Sequence, residues 1–313
     1  MSIAGSDCSG GAGIQADLKT ISALGAYAAT AITAITVQNT TGVRAIHPVP
    51  PVFVRGQIEA VMDDIRPDAI KIGMINDIQI VRVISDCLQK YSPAYVVYDP
   101  VMVSTSGRKL MTDEAIEGMI NDIEIVKVIS ACLHKYRPAY VIFDPVMVST
   151  SGHKLIEDDA IAALTDDLMP LTSLITPNLR EAEVLTDHPI NNVEEMKSAA
   201  LELLKFGCKA VLLKGGHLEG GLMCDVLQIA GESTPHLFTS TKIESPNTHG
   251  TGCTLSSAIA TFLALGYVMP QAVERAKRYV THGIEAGKDI RIGEGHGPLN
   301  HFYHPVPMNI KEE

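Results

Sequence analysis

The sequence predicts an α/β protein whose central sheet is mostly parallel and carries helices on both faces. Short runs rich in β-branched residues alternate with segments of helical periodicity along the 313-residue chain. Hydrophobic residues make up 46% of the chain, which is enough to bury a large core. In such alternation the helices are crossovers between parallel strands, and ligands collect at the carboxyl ends of those strands.

The elements follow from local patterns. Helical spacing of apolar residues predicts a helix over 14–24 that ends at Gly25, and another that begins near 250 and ends at Gly266. The β-branched runs predict strands at 28–37, 69–73, 94–99, 139–144, 173–176 and 210–216.

Charge and cysteine content limit the possible partners. A formal net charge of −11 argues against a nucleic-acid partner, because the protein's field repels phosphate backbones. The six cysteines include no CxxC pair, which favours free thiols in a reducing, cytoplasmic compartment. With neither a leader pattern nor a long apolar run, we expect no membrane association and small-molecule partners.

A tandem repeat lies in the first half of the chain. Residues 73–107 recur at 118–152, at an offset of 45 residues, and weaker similarity continues to residue 162. We therefore expect a single domain over 1–313 with an internal repeat, 73–117 and 118–162. Because an added internal strand would separate strands that must pair, we expect one copy in the sheet and the other looped out or at an edge. The alternative is a join between two related genes.

The stretch "HGTGCTLSSAIA", residues 249–260, predicts an anion site at a helix start. The amides of Gly250, Thr251 and Gly252 fall in the first turn, where unpaired N–H groups and the helix dipole attract negative charge. The same field favours the thiolate of Cys253, which would then take a proton from a substrate hydroxyl near neutral pH. The structural alternative is a small buried residue in a glycine-rich turn.

Other motifs are weaker when each is taken alone. The glycine-rich turn of "IAGSDCSGGAGIQADLKT", residues 3–20, lacks the GK[ST] ending of a P-loop. Asn178 and Glu181 suit either a metal-bound phosphate or a capping box, and Lys214 suits either a nucleotide phosphate or solvent. Asp99 and Asp144 end their strands in paired "DPVM" motifs and could hold Mg²⁺ through water.

Together these segments resemble the hydroxymethylpyrimidine/phosphomethylpyrimidine kinases of thiamine biosynthesis, which belong to the ribokinase superfamily. The resemblance rests on the motifs already quoted and on "VQNT" (37–40), "KIGM" (71–74), "TPNLREAE" (176–183), "LLKGGH" (212–217) and "GEGHGP" (293–298). It implies a ribokinase-like fold, phosphorylation of the pyrimidine alcohol and then of its monophosphate by ATP with Mg²⁺, and a homodimer.

The resemblance also implies residue roles. Cys253 is the implied base, and Gly250, Thr251 and Gly252 stabilise charge on the transferred phosphoryl group. Gln38 is the implied reader of the aminopyrimidine ring. The implied pocket, nucleotide and metal residues are Gly5, Asp7, Ala12, Met74, Val101 and Val146 for the pocket, Lys214, Asn178 and Glu181 for the nucleotide, and Glu181 with Asp99 or Asp144 for the metal.

Alternatives remain open at this point. A pyridoxal kinase of the same superfamily would carry a similar cysteine-bearing loop. A non-catalytic pyrimidine or nucleotide binder, or an unstable product of the duplication, would share the sequence pattern without the activity. Because the repeat supplies two aspartates, a hybrid arrangement with Met74 from the first copy and either Asp99 or Asp144 is our hypothesis for the site.

Overall fold

A computed structural model of the chain describes residues 1–75, 77–99, 123–147, 158–216 and 222–309. Its strands are β1 (Ser2–Asp7), β2 (Thr30–Asn39), β3 (Gly42–Pro48), β4 (Ala69–Ile72), β5 (Tyr95–Tyr98), β6 (Tyr140–Phe143), β7 (Leu174–Ile175), β8 (Ala210–Leu213), β9 (Leu222–Ile229) and β10 (His236–Thr241). Its helices are α1 (Gly13–Ala23), α2 (Pro51–Asp64), α3 (Ile78–Tyr91), α4 (Ile123–Tyr136), α5 (Asp158–Ala163), α6 (Leu179–Thr186), α7 (Val193–Leu203), α8 (Thr251–Ala264) and α9 (Met269–Gly287).

The described strands form one sheet in the order β10-β9-β8-β7-β6-β5-β4-β1-β2-β3. Neighbours from β8 through to β2 are parallel, whereas β3, β9 and β10 pair antiparallel with their neighbours at the two sides. The predicted fold class is therefore confirmed, and the six predicted strands correspond to β2, β4, β5, β6, β7 and β8. Among the described helices, none combines the length and apolar character needed to cross a membrane.

Two hydrophobic layers cover the sheet. One contains buried residues of α2, α3, α4 and α7, and the other contains those of α8 and α9 together with the end of α1. Successive strand residues face opposite layers, as Val96 and Val97 do in β5. The near-continuous apolar character of the central strands follows from this double coverage.

Both copies of the repeat occupy the sheet, so the prediction that one copy loops out or lies at an edge is wrong. Strand β5 of the first copy pairs in parallel with β6 of the second, and each residue lies opposite its own equivalent 45 positions later. Equivalent rings stack, Tyr95 on Tyr140 at 5.7 Å between centroids and Tyr98 on Phe143 at 5.8 Å. An open sheet has room for an extra internal strand, because the strands on one side of the insertion are all displaced by one position without losing their own pairing. Each copy also supplies its own crossover helix.

The two crossover helices, α3 and α4, pack side by side on the same face. Cys132 Sγ of α4 lies 3.4 Å from the carbonyl oxygen of Ser85 in α3, and Lys135 Nζ donates to Gln89 Oε1 at 2.7 Å. Within the segment 112–137, a helix is described from Ile123 onward. The residues of the segment before Ile123 lie outside the described part of the chain. The second copy thus has the same helix-then-strand environment as the first.

One tyrosine in each copy allows a matched test of this packing. Tyr91 in α3 donates a hydrogen bond to Asp63 Oδ1 at 2.7 Å, whereas the buried hydroxyl of the equivalent Tyr136 in α4 has no partner among the described residues. We expect Tyr136→Phe to raise the free energy of unfolding by about 1 kcal/mol, because it removes an unsatisfied buried group. Tyr91→Phe should instead lower it by roughly 0.5–1 kcal/mol. Urea denaturation would measure both, and a loss of stability in Tyr136→Phe would contradict the described packing.

Candidate functional site

The glycine-rich turn after β1 is organised by the carboxylate of Asp7. Its Oδ1 accepts hydrogen bonds from the amide and hydroxyl of Ser9 at 2.8 and 2.6 Å, and its Oδ2 accepts from the amides of Gly11 and Ala12 at 3.1 and 2.8 Å. Nε2 of His249 lies 3.1 Å from the same Oδ2. Asp7 therefore holds the turn to the segment that precedes α8, 242 residues later in the chain.

These contacts change the acidity of Asp7. Burial favours the neutral acid, but the hydrogen bonds from His249 and Ser9 and the charge of His249 outweigh it and lower the pKa of Asp7 to about 2. Because the folded pKa lies below the unfolded one, this carboxylate stabilises the fold above about pH 4, and the contribution is lost as the pH falls toward 2.

Asp7→Asn should remove this pH dependence. The shift from 3.8 to about 2 corresponds to about 2 kcal/mol of stability at neutral pH. The stability difference between the wild type and Asp7→Asn, measured by urea denaturation, should narrow by this amount between pH 5 and pH 2. The control is Asp86→Asn, which breaks an exposed surface pair with Arg55. A difference for Asp7→Asn that does not vary with pH would contradict the described contacts.

Several residues predicted for the substrate pocket surround this turn, and we call this group the acceptor half. Gln38 at the end of β2 is half-buried, with Nε2 3.3 Å from His249 Nε2. The side chain of Met74, which follows β4, lies so close to Gly5 that a Cβ on Gly5 would be 2.3 Å from Met74 Cε. The structure therefore brings together five of the predicted pocket residues, namely Gly5, Asp7, Ala12, Gln38 and Met74.

One described residue among those predicted for the pocket, Val146, lies apart from this group. Val146 is half-buried beyond the end of β6, two strands from β4, and its amide donates to the carbonyl oxygen of Asp144 at 2.9 Å. Val101 lies outside the described residues, as does Met119, the counterpart of Met74 in the second copy. Met74, the methionine of the first copy, contacts Gly5, and the hybrid arrangement stays a prediction.

His249 is a site residue whose role the sequence analysis missed. It is buried between the Asp7 turn and Gln38, and a Cβ on Gly11 would lie 2.4 Å from His249 Cδ2. Its position directly before "GTGC" was the available signal. The segment 293–298 packs on the same region, with the amide of Gly295 donating to Thr40 Oγ1 at 3.2 Å.

Helix α8 begins against the glycine-rich turn. Gly250 is its N-cap, with a φ of +80° that favours glycine, and a Cβ there would lie 1.9 Å from the carbonyl oxygen of Gly11. No side chain caps this helix, and open space surrounds the Cβ position of Gly252. The Thr251 amide donates to the carbonyl oxygen of Thr248 at a long 3.4 Å, and the anion site at this helix start stays a prediction.

Cys253 lies in the first turn of α8 but is almost fully buried, with 5% of its surface exposed. The prediction that the helix field lowers its pKa is wrong for the structure described. Burial raises the pKa of Cys253 to about 12, and the opposing effects of Lys71 and of a backbone hydrogen bond at Gly13 are smaller. Desolvation outweighs the helix dipole because the thiolate is removed from water.

A buried charge cluster lies next to Cys253, and we call it the Lys71 cluster. Nζ of Lys71, on β4, lies 3.2 Å from Asp17 Oδ2 of α1 and 3.4 Å from Asp99 Oδ2, which follows β5. Burial opposes the charge on Lys71, but Asp17, Cys253 and Asp99 raise its pKa. Ser256 Oγ donates to Asp99 Oδ2 at 2.7 Å, so the cluster also fixes α8 to the sheet. Lys71 lies in the quoted "KIGM" motif, but a buried lysine could not be told from a solvated one by sequence.

The residues predicted for the nucleotide and the metal lie together at the ends of β6, β7 and β8, and we call this group the nucleotide half: Asp144, Asn178, Glu181 and Lys214. Nζ of Lys214, after β8, lies 3.0 Å from both carboxylate oxygens of Asp144, after β6. Asn178 and Glu181 form a capping box at the start of α6, with Asn178 Oδ1 accepting from the Glu181 amide at 3.1 Å and Glu181 Oε2 accepting from the Asn178 amide at 2.8 Å. The capping box, which was the alternative interpretation of this pair, is therefore present. It also places the buried carboxylate of Glu181 beside Lys214.

Charges in this half influence one another. Burial raises the pKa of Glu181 to about 8, and the negative charge of Asp144 adds to the effect while Lys214 opposes it. Burial lowers the pKa of Lys214, but Asp144 and Glu181 raise it more, so the ammonium is retained. The cluster can therefore stabilise a phosphate through Lys214, and it can attract a cation through its two carboxylates.

The two repeat aspartates lie on neighbouring strands and serve different halves. Asp99 contacts Lys71 and Ser256 on the acceptor side, and Asp144 contacts Lys214 on the nucleotide side. The amide of Asp144 donates to the carbonyl oxygen of Tyr98 at 3.0 Å, directly before Asp99. The two aspartates therefore have distinct partners. They do not compete for a single position in the sheet.

The chain is similar in sequence to known kinases over nearly its whole length. The sequence model described as phosphomethylpyrimidine kinase matches residues 7–118 and 117–300, in two segments that meet at the boundary between the repeat copies. The hydroxymethylpyrimidine/phosphomethylpyrimidine kinase of Salmonella typhimurium is 37% identical over 305 residues, covering 97% of each chain. The thiamine biosynthesis bifunctional protein ThiED of Geobacter sulfurreducens is 42% identical over 96% of this chain, which spans 52% of that longer protein.

Solved structures show the same similarity. A phosphomethylpyrimidine kinase from Clostridium difficile is 40% identical, with a TM-score of 0.61 over 90% of this chain and 97% of that one. A pyridoxal kinase from Bacillus subtilis, solved as an ADP complex, is 29% identical, with a TM-score of 0.69 over 96% of both chains.

Proposed function

This chain belongs to the phosphomethylpyrimidine kinase family, and we propose that it transfers phosphoryl groups from ATP to 4-amino-5-hydroxymethyl-2-methylpyrimidine and to its monophosphate in thiamine biosynthesis. The observation that supports the proposal is the contact between the glycine-rich turn held by Asp7 and the start of α8. His249 Nε2 lies 3.1 Å from Asp7 Oδ2 and 3.3 Å from Gln38 Nε2, and a Cβ on Gly250 would lie 1.9 Å from the carbonyl oxygen of Gly11.

Each side chain then has a role in the first transfer. Gln38 offers an amide donor and acceptor that suit a ring nitrogen and an exocyclic amine. Cys253 in its thiolate form accepts the proton of the hydroxymethyl group as the hydroxymethyl oxygen attacks the γ-phosphorus. The bond to the β–γ bridging oxygen breaks and its electron pair leaves with ADP, while the amides of Thr251 and Gly252 stabilise charge on the transferred group. Lys214 binds phosphate oxygens on the nucleotide side.

Mg²⁺ fits the carboxylates of the nucleotide half. Among the described residues, no three His, Cys, Asp or Glu side chains form a ready metal site, but Mg²⁺ in kinases needs only one or two carboxylates beside phosphate oxygens. Asp144 and Glu181 would hold it, because a cation would favour the charged form of Glu181, whose pKa is raised mainly by burial and less by the charge of Asp144. When bound, the ion neutralises charge on the transferred phosphoryl group.

Pyridoxal kinase is the alternative activity, supported by the similarity to the Bacillus subtilis structure. The test is ADP formation by the full chain with Mg-ATP and either the two pyrimidine acceptors or pyridoxal, corrected for ATP hydrolysis without acceptor. We expect kcat/KM for the better pyrimidine to exceed that for pyridoxal by at least about tenfold, a margin of roughly 1.4 kcal/mol that pocket contacts readily supply. Faster turnover of pyridoxal would favour the alternative.

The proposed cellular location rests on the cysteine pattern, and the proposed assembly rests on the family resemblance. We propose that the chain acts in the cytoplasm as a homodimer, with small molecules as its other partners. Size-exclusion chromatography with light scattering would test the oligomeric state.

A further inference from the structure

The two halves of the site are separated by β5, the strand of the first repeat copy. The acceptor half lies at the ends of β1, β2 and β4, and the nucleotide half at the ends of β6, β7 and β8, with β5 between them. The family pattern matches the chain in two segments, each containing one copy of the unit. One of the two strands is therefore additional to that pattern.

One additional strand widens a sheet by the usual spacing between neighbouring strands. Neighbouring strands lie about 4.8 Å apart, so the insertion moves Lys214 and Glu181 away from the acceptor pocket by about that distance. Helix α8 stays with the acceptor half, because Ser256 is bonded to Asp99 after β5 and Ser257 Oγ donates to Asp17 Oδ1 of α1 at 2.7 Å. The widening therefore falls between the acceptor pocket and the nucleotide, not within either half.

We propose that the additional strand makes the chain selective for the phosphorylated acceptor, the phosphomethylpyrimidine, over the hydroxymethylpyrimidine. This inference rests on the proposed function. The phosphorylated acceptor presents its attacking oxygen one phosphate group further from the ring, and so reaches across the wider site. The shorter alcohol, held in the same ring pocket, leaves its oxygen short of the γ-phosphorus.

The start of α8 suits the longer acceptor. The phosphate of the phosphomethylpyrimidine would lie beside the first-turn amides of α8, next to the open space at Gly252. In the transfer, an oxygen of this phosphate forms a bond to the γ-phosphorus of ATP, the bond to the β–γ bridging oxygen breaks, and its electron pair leaves with ADP. The attacking oxygen is already ionised near neutral pH, so the step needs no base.

The experiment compares three proteins with both acceptors. They are the full chain, a variant without residues 74–118, which joins Gly73 to Met119, and a variant without residues 99–143, which joins Tyr98 to Asp144. Each deletion removes 45 residues between equivalent points of the repeat and leaves one helix and one strand. Cooperative thermal unfolding confirms that a variant is folded before its kinetics are measured.

For the full chain we expect kcat/KM with the phosphomethyl acceptor to exceed that with the hydroxymethyl acceptor by about 100-fold, the cost typical of a small misplacement of reacting groups. In either deletion variant this ratio should fall at least about tenfold, through a gain on the alcohol. A ratio near one in the full chain overturns the proposal even if both variants fail to fold, and so does an unchanged ratio in a folded variant.

A wrong kinase assignment would give a different set of kinetic results from a wrong selectivity proposal. If the deletion variants phosphorylate both acceptors and the full chain neither, the kinase function of the fold stands and the selectivity is overturned. If none of the three proteins, each shown to be folded, phosphorylates either acceptor, the proposed function itself is wrong.

Discussion

Replacing Cys253 with alanine is expected to lower kcat on the hydroxymethylpyrimidine by about 10²–10⁴-fold, the range lost with a positioned general base. Cys253 is the thiol in the first turn of α8, directly after Gly250, Thr251 and Gly252. Alanine keeps the helix and nearly the same volume, so binding of the acceptor should change little.

The matched control is Cys208→Ala. Cys208 is also buried, at 3% exposure, but it precedes β8 on the sheet face opposite α8, and it makes no contribution to the proposed chemistry. Its alanine variant should retain wild-type turnover. A folded Cys253→Ala protein with more than a tenth of wild-type kcat would show that the thiol is not the base.

The pH dependence adds a second readout to the same pair. Because burial raises the pKa of Cys253 to about 12, the thiolate fraction grows with pH throughout the range in which the protein is assayed. Wild-type turnover of the alcohol should therefore rise from pH 7 to pH 9, and the residual turnover of Cys253→Ala should not follow that rise.

Replacing Lys71 with methionine is expected to lower the free energy of unfolding by about 3–5 kcal/mol. The variant leaves Asp17 and Asp99 buried without their cation, since Lys71 Nζ lies 3.2 and 3.4 Å from them. Desolvated carboxylates without a counter-charge are among the costliest defects in a protein interior. The loss would be measured by urea denaturation at pH 7.

Two further variants locate the cause of that loss. Lys90→Met removes a largely exposed lysine that lies 3.3 Å from Glu59, and it should cost less than about 1 kcal/mol. Adding Asp99→Asn to Lys71→Met removes one stranded charge and should recover part of the stability. A cost below about 1 kcal/mol for Lys71→Met would contradict the buried cluster.

The Lys71 cluster also links stability to the site. It connects α1, β4, β5 and α8 through Asp17, Asp99 and Ser256, and Lys71 partly offsets the burial that raises the pKa of Cys253. The position of α8 thus depends on buried charges in the Lys71 cluster. Strand β5 of the first repeat copy supplies one of these charges, so that copy is integrated into the fold.

The order of strands and helices could be predicted from the sequence, because hydrophobic periodicity and turn residues are local properties. Strands β2 and β4 to β8 fall within a few residues of the predicted runs, and Gly25 and Gly266 end their helices with φ values of +80° and +89°. The glycine and cysteine of α8 could be placed at a helix start for the same reason.

The position of the repeat could not be predicted in this way. Two nearly identical segments have the same local preferences, and only their pairing with β4 and β7 shows that both fit one open sheet. The partners of Asp99 and Asp144 depend on that pairing, which gives one aspartate to Lys71 and the other to Lys214.

Local sequence thus set the α/β class, the helix starts and the chemical types present at the site. The burial of Cys253, the pairing of Lys71 with two carboxylates, the contact of His249 with Asp7 and the width between the two halves were decided only by tertiary packing. The physical reason is that desolvation and charge pairing depend on groups brought together from distant parts of the chain, and no local pattern of residues encodes those distances.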